Sequence, residues 1–255
     1  MTHPTPTGGS EPARPRRDAA DSHARATLAE RTAALQAVLF DLDGTLIDSV
    51  ELILSSFRHA TAHVLGAPLP DEELMRNVGV PLARQMREFS PEHAEELLRV
   101  YREHNARVHD EMLKRYAGVE EALLGLAAGG MKLGVVTSKM RHMAFRGLER
   151  FDLARFFDVV VGSDDVEVHK PDPHPLFVAA AELDVPIERC AYVGDSPHDM
   201  AAARAAGCLA IAALWGAFEP DVVLQPGADY ALGSAFELLE LPDAPWNRQT
   251  RTVYP

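Results

Sequence analysis

Five short apolar runs constrain this chain more than any other feature. They are Ala37–Phe40, Leu133–Val136, Asp158–Val161, Ala191–Val193 and Leu209–Ala212. Brief runs without polar alternation suit strands covered on both faces, and a parallel sheet needs helices as crossovers. Helical patterns occupy Val119–Ala128, about Met140–Arg150, Pro175–Leu183 and Pro197–Ala206, which lie between or beside those runs. The predicted fold class is therefore α/β, a Rossmann-like parallel sheet with helices on its faces.

Between the first and second runs the pattern changes. Ile53, Phe57, Ala60 and Val64, then Ala94, Leu97, Leu98, Tyr101, Val108 and Met112, recur at helical spacing with no strand pattern among them. A block of about 65 residues is too long for a loop, so it reads as an inserted helical domain. The predicted division is a core of 35–47 and 116–241 with a helical insertion of 48–115. Residues 1–34, rich in Pro and Gly and without apolar periodicity, read as a disordered tail or as sequence upstream of the true start; 242–255 reads as a loose C-terminal tail.

Composition narrows the classes of function. The 255 residues carry 25 Lys+Arg against 38 Asp+Glu, a formal charge of −13, which argues against nucleic-acid binding. No apolar run approaches the ~18 residues of a membrane span, and no signal-like apolar segment follows the basic N-terminus. Cys190 and Cys208 make neither a disulfide framework nor a zinc set. The expectation is a cytoplasmic protein, monomer or homodimer, with no membrane or nucleic-acid partner.

Ligands of an open parallel sheet gather beyond the C-terminal ends of the strands. There the chain places Asp41-Leu42-Asp43-Gly44-Thr45, then Thr137-Ser138-Lys139, then a loop reaching Lys170-Pro171, then Gly194-Asp195-Ser196-Pro197-His198-Asp199. Four carboxylates on one edge repel one another unless a cation neutralises them, and hard oxygen ligands favour Mg²⁺. With that ion, Lys170 and the Thr137 and Ser138 donors suit a phosphoryl group, whose oxygens carry the charge of the transition state. Phosphoryl transfer is the implied reaction class.

In these four motifs, taken in order, the chain resembles the haloacid dehalogenase superfamily, and the helical insertion resembles the α-helical cap of its phosphoglycolate phosphatase-like branch. The resemblance implies Asp41 as nucleophile, Asp43 as general acid and base, and Lys170 as charge balance between nucleophile and phosphoryl group. It implies Mg²⁺ held by the Asp41 side chain, the Asp43 carbonyl and Asp195, with Asp199 acting through water. Thr137 and the Ser138 backbone N–H would bind phosphate oxygens, and Thr45 would orient Asp43. Lys139 and Arg84, the latter just beyond the Gly79-Val80-Pro81-Leu82 turn, are candidates to contact an anionic leaving group.

Simpler readings overlap with these. Ser196, Pro197 and Asp199 fit the first positions of a helix, where an acid favours the dipole. Thr137 and Ser138 can cap the next helix. His59 and His63, spaced i, i+4, can bind a metal but read as a wet helix face without a further ligand.

Leu54-Ser55-Ser56-Phe57-Arg58-His59, Tyr101-Arg102-Glu103-His104-Asn105, His109-Asp110-Glu111 and Phe156-Phe157-Asp158-Val159-Val160-Val161 also resemble the bacterial inorganic pyrophosphatases of this superfamily. The expected activity is hydrolysis of pyrophosphate or another small phosphorylated substrate through an aspartyl-phosphate. Phosphoglycolate phosphatase is the alternative; a phosphosugar mutase of the same fold and a silent binding scaffold are the others.

Overall fold

The computed structural model describes residues 26–76 and 78–247. Six parallel strands form one sheet: β1 (Ala37–Phe40), β4 (Lys132–Val136), β5 (Val159–Val161), β6 (Cys190–Gly194), β7 (Leu209–Ala213) and β8 (Tyr230–Leu232), in the order β5-β4-β1-β6-β7-β8. The predicted α/β class is therefore the observed one. β1 is central, and its side chains alternate between two cores: Val38 and Phe40 pack on one face, Ala37 and Leu39 on the other. This is why the run shows no polar alternation.

Helices α6 (Val119–Ala128), α7 (Arg141–Arg150), α8 (His174–Glu182) and α9 (Pro197–Ala206) flank the sheet close to their predicted bounds. Local chemistry sets the ends of α9. Ser196 and Asp199 form a reciprocal capping box, Pro197 opens the first turn, and Gly207 closes the helix at φ 79°.

Two short antiparallel strands, β2 (Ile47–Asp48) and β3 (Lys114–Arg115), join the two chain crossings at the base of the helical insertion. Such two-residue strands leave no periodic signal. The insertion holds α2 (Val50–Leu65), α3 (Asp71–Met75), α4 (Leu82–Phe89) and α5 (Ala94–Met112), packed around their own apolar cluster of Phe57, Leu74, Met86, Leu97 and Tyr101. A short helix α10 (Pro220–Val223) precedes β8.

Both expected tails are partly corrected. Residues 26–33 form a helix, α1, which enters the segment predicted to be disordered. Arg31 on it pairs with Asp229 at 3.2 Å and donates to the Cys208 carbonyl, while the buried Thr32 hydroxyl meets the Tyr230 hydroxyl at 2.9 Å. Its ordering comes from contacts with chain some 200 residues away, which local composition does not register. At the other end Trp246 is fully buried and donates its indole N–H to the Leu238 carbonyl at 3.0 Å. Gly129 makes room for it, since a Cβ there would lie 2.4 Å from the Trp246 Cβ. The remainder of both predicted tails, 1–25 and 248–255, lies outside the described residues. Among the described residues no helix is long and apolar enough to cross a membrane.

Candidate active site

The sheet carries its first polar residues directly onto the site. The Asp41 N–H still donates to the Val193 carbonyl at 2.8 Å, and the Thr137 N–H to the Val161 carbonyl at 3.0 Å, so both side chains are held in register at the C-terminal edge. Asp41, Asp195 and Asp199 are buried there, each offering an oxygen within 4.8 Å of the others. Lys170 Nζ enters the same cluster, 2.9 Å from Asp41 Oδ1, 2.6 Å from Asp199 Oδ1 and 2.8 Å from the Tyr192 hydroxyl.

The electrostatics follow from that crowding. Burial, opposed by Lys170 and reinforced by Asp199 and Asp43, pushes the Asp41 carboxyl up to about 7. Burial next to Asp41 and Asp199 drives Asp195 well above the usual carboxylate range. Burial works against the Lys170 charge, but the Asp199 and Asp41 carboxylates outweigh it and hold the ammonium firmly protonated.

The donor set fits a hard divalent cation. Three buried carboxylates face one ammonium, so charge remains uncompensated, and the raised Asp41 and Asp195 values are its signature. Asp195 accepts from the Thr45 hydroxyl and the Ala217 N–H, and Asp41 accepts from Lys170 alone among the described residues, which leaves lone pairs on both. Asp199 differs. Its Oδ1 takes Lys170 and Tyr192, and its Oδ2 takes the N–H and hydroxyl of Ser196. With Lys170 and two Ser196 donors committed to it, and the single Tyr192 proton shared between it and the Val136 carbonyl at 3.0 Å each, it can serve an ion only at one remove.

Asp195 sits in a slot that glycines create. Gly44, at φ +85°, would place a Cβ 2.2 Å from Asp195 Oδ2, and Gly216 would place one 2.2 Å from Asp195 Cβ. The tight turn at Gly44 thus has a steric purpose as well as a conformational one.

Asp43 is set apart from the cluster. Its Oδ1 accepts from Lys139 Nζ at 2.6 Å and from the Ser49 hydroxyl at 2.6 Å. Burial opposes ionisation, but the Lys139 ammonium and the Ser49 hydroxyl prevail and hold this carboxyl below its ordinary value.

Two expectations need correction. The Thr45 hydroxyl donates to Asp195 at 3.1 Å rather than orienting Asp43, because the turn at Gly44 carries it toward the fourth-motif acid. Ser49 takes the role expected of it. Arg84 does not face the cavity: it pairs with Glu88 one turn along α4, with its side chain 66% exposed. Its neighbour Gln85 points inward instead, buried, with Nε2 donating to the Val80 carbonyl and Oε1 without a partner among the described residues. The Ser138 hydroxyl donates across to the Gly79 carbonyl of the insertion, so its side chain fastens the two parts together and leaves the backbone N–H, the group expected to meet phosphate, unaffected.

A cavity of about 610 Å³ opens over Asp41, Asp43, Thr137, Ser138, Lys139 and Asp195, roofed by residues of the insertion including Gln85, Tyr101, Arg102 and Asn105. Ser49 and Tyr192 lie outside the four sequence motifs. Tyr192 did carry a signal, since a phenol in a fully buried strand needs a partner for its hydroxyl. Ser49 carried none beyond standing six residues after Asp43.

The fold and site define a class before any closer relative is considered. Residues 38–213 match the family of haloacid dehalogenase-like hydrolases, and the chain belongs to that family. It is similar to pyrophosphatase PpaX of Halalkalibacterium halodurans, 39% identical over 81% of this chain and 96% of that protein. It is similar also to pyrophosphatase PpaX of Bacillus mycoides, 38% identical over 76% and 94%. Among solved structures, a hydrolase from Pseudomonas syringae superposes with TM-score 0.74 at 27% identity, covering 82% of this chain and 98% of that one. A predicted phosphatase from Clostridium acetobutylicum does so with TM-score 0.73 at 30% identity, covering 81% and 99%. The enzyme is a phosphohydrolase of the haloacid dehalogenase type.

Proposed function

We propose that this chain hydrolyses inorganic pyrophosphate in two steps through an aspartyl-phosphate on Asp41, with Mg²⁺ as cofactor. The observation that carries the reading is the meeting of Asp41, Asp195 and Asp199 around Lys170, a constellation built to receive one cation and one phosphoryl group. The similarity to proteins named pyrophosphatase PpaX supports the substrate.

Asp41 and Asp195 would hold the ion, with the Asp43 carbonyl completing the protein ligands and Asp199 contributing through water. When bound, Mg²⁺ screens the repulsion between the Asp41 carboxylate and the substrate oxygens. An Asp41 oxygen forms a bond to phosphorus as the bridging P–O bond breaks, and the bridging electron pair leaves with the second phosphate. Lys170 balances charge between the nucleophile and the transferring group, and Thr137 with the Ser138 N–H takes its equatorial oxygens.

Asp43 serves both steps. In the free enzyme Lys139 holds it ionised. A doubly charged leaving phosphate draws the Lys139 ammonium to itself, which removes the main support of that ionised state and lets Asp43 carry a proton for the departing oxygen. In the second step water bonds to phosphorus, its proton passes to ionised Asp43, and the Asp41–phosphorus bond breaks. The inserted helices, fastened by Ser138 and Gly79, act as a cap that excludes water during the first step.

The test is phosphate release from pyrophosphate, phosphoglycolate and sugar phosphates, with and without Mg²⁺, joined to rapid quench with labelled pyrophosphate. The highest kcat/KM for pyrophosphate and label on Asp41 are expected. A higher kcat/KM for phosphoglycolate would replace the substrate, and turnover without label on Asp41 would overturn the covalent route.

A further inference from the structure

Away from the cavity, three imidazoles gather on the helical insertion. His59 and His63 stand one turn apart on α2 and are exposed, and α5 brings His104 beside them. The His59 and His104 rings stack with centroids 4.3 Å apart, and those of His59 and His63 lie 6.2 Å apart. None of the three touches the chemistry described above.

The hydrogen bonding of His104 decides which nitrogen it presents. The Ser56 hydroxyl donates its single proton to the Leu52 carbonyl at 2.7 Å. Toward His104 Nδ1, at 3.2 Å, that oxygen can therefore only accept, as it does from the Asn105 amide at 3.3 Å. The proton of the neutral ring is thus on Nδ1 and the lone pair on Nε2. A hydrogen bond at one ring nitrogen that fixes the other as the donor atom is the arrangement found in imidazole metal ligands. Burial, with His59 and Arg107 nearby, holds His104 below its ordinary value, so the ring is neutral near pH 7.

We propose that His59, His63 and His104 form a binding site for a late first-row transition ion such as Zn²⁺, which clamps α2 to α5. Imidazole nitrogens select such ions over Mg²⁺, so the site is chemically distinct from the carboxylate cluster. The i, i+4 pair supplies two ligands from one helix, and the packing of α5 supplies the third. As placed, the His59 and His63 rings stand 6.2 Å apart and their nitrogens do not yet meet that of His104, so the ion would gather them by rotation of the exposed His59 and His63 side chains.

The experiment titrates Zn²⁺ into the full chain in phosphate-free buffer with saturating Mg²⁺, followed by calorimetry and thermal unfolding. Wild type should take up one more equivalent than the triple variant His59→Asn/His63→Asn/His104→Asn and show a Tm rise that the variant lacks. The single exposed variants His59→Asn and His63→Asn, which leave the Ser56 bond intact, should each weaken that equivalent by roughly tenfold or more. Equal stoichiometry in wild type and a triple variant of unchanged circular dichroism would overturn the site. So would exposed single variants that bind as tightly as wild type.

Discussion

Lys139 Nζ lies 2.6 Å from Asp43 Oδ1, with both side chains more than four-fifths withdrawn from solvent. This pair joins the residue after the second motif's hydroxyls to the acid two places beyond Asp41, and it holds that acid ionised, which in the proposed mechanism is the state from which the reaction starts.

Lys139→Met should therefore move the acid limb of the kcat profile, where attack by water calls on ionised Asp43, to higher pH, because the carboxyl loses its principal counter-charge while its burial remains. A pH profile measured from 5 to 9 checks this, and an unshifted acid limb would show that Asp43 does not govern it. Asp43→Asn should lower kcat by about 10²- to 10⁴-fold, the range of general acid–base catalysis.

Lys170→Met should cost about 3–5 kcal/mol in metal-free protein, since it strands Asp41 and Asp199 without their ammonium. Tyr192→Phe removes one donor from Asp199 and should cost about 1–3 kcal/mol. Urea denaturation with chelator present measures both, and added Mg²⁺ should recover part of the Lys170→Met loss.

The raised Asp41 value makes stability depend on pH with a definite sign. Burial and neighbouring acids lift its folded value to about 7 from an ordinary 3.8, so between those values the native state holds a proton that the unfolded chain has released. Without metal, this contribution is present below pH 4 and is lost as pH rises through 7. Mg²⁺ held by Asp41 and Asp195, as proposed, would displace the protons that burial keeps on them, so its apparent affinity should rise with pH through about 7. Calorimetry in two buffers of different ionisation enthalpy would reveal the proton release.

Trp246→Ala should destabilise by about 3–5 kcal/mol, the cost of deleting a large buried aromatic, although the site lies elsewhere. Guanidinium unfolding gives the value. A loss below about 1 kcal/mol would mean that the C-terminal segment is not part of the core.

Much of the site was legible because its motifs are local. Asp41, Thr137 and Asp195 each follow a strand that an apolar run announces, and the parallel arrangement sends all of these strand ends to one edge. Side-chain direction was not legible. Thr45 and Arg84 have the right chemistry in the right neighbourhood, yet the turn at Gly44 and the helical phase of α4 aim them at Asp195 and Glu88. Tyr192 and Ser49 were silent for the converse reason: their partners Asp199 and Asp43 are reached only through the fold.

The alternation of five strands with the helices between them, the helical insertion, the capping of α9 and the gathering of acids at one sheet edge were determined by the amino-acid sequence itself, because short-range periodicity and turn chemistry carry them. Tertiary structure alone decided that Lys139 holds Asp43, that Lys170 and Tyr192 reach Asp199, that His104 joins His59, and that α1 and Trp246 belong to the folded body. Each of these depends on where side chains distant along the chain converge, and no local pattern encodes that meeting.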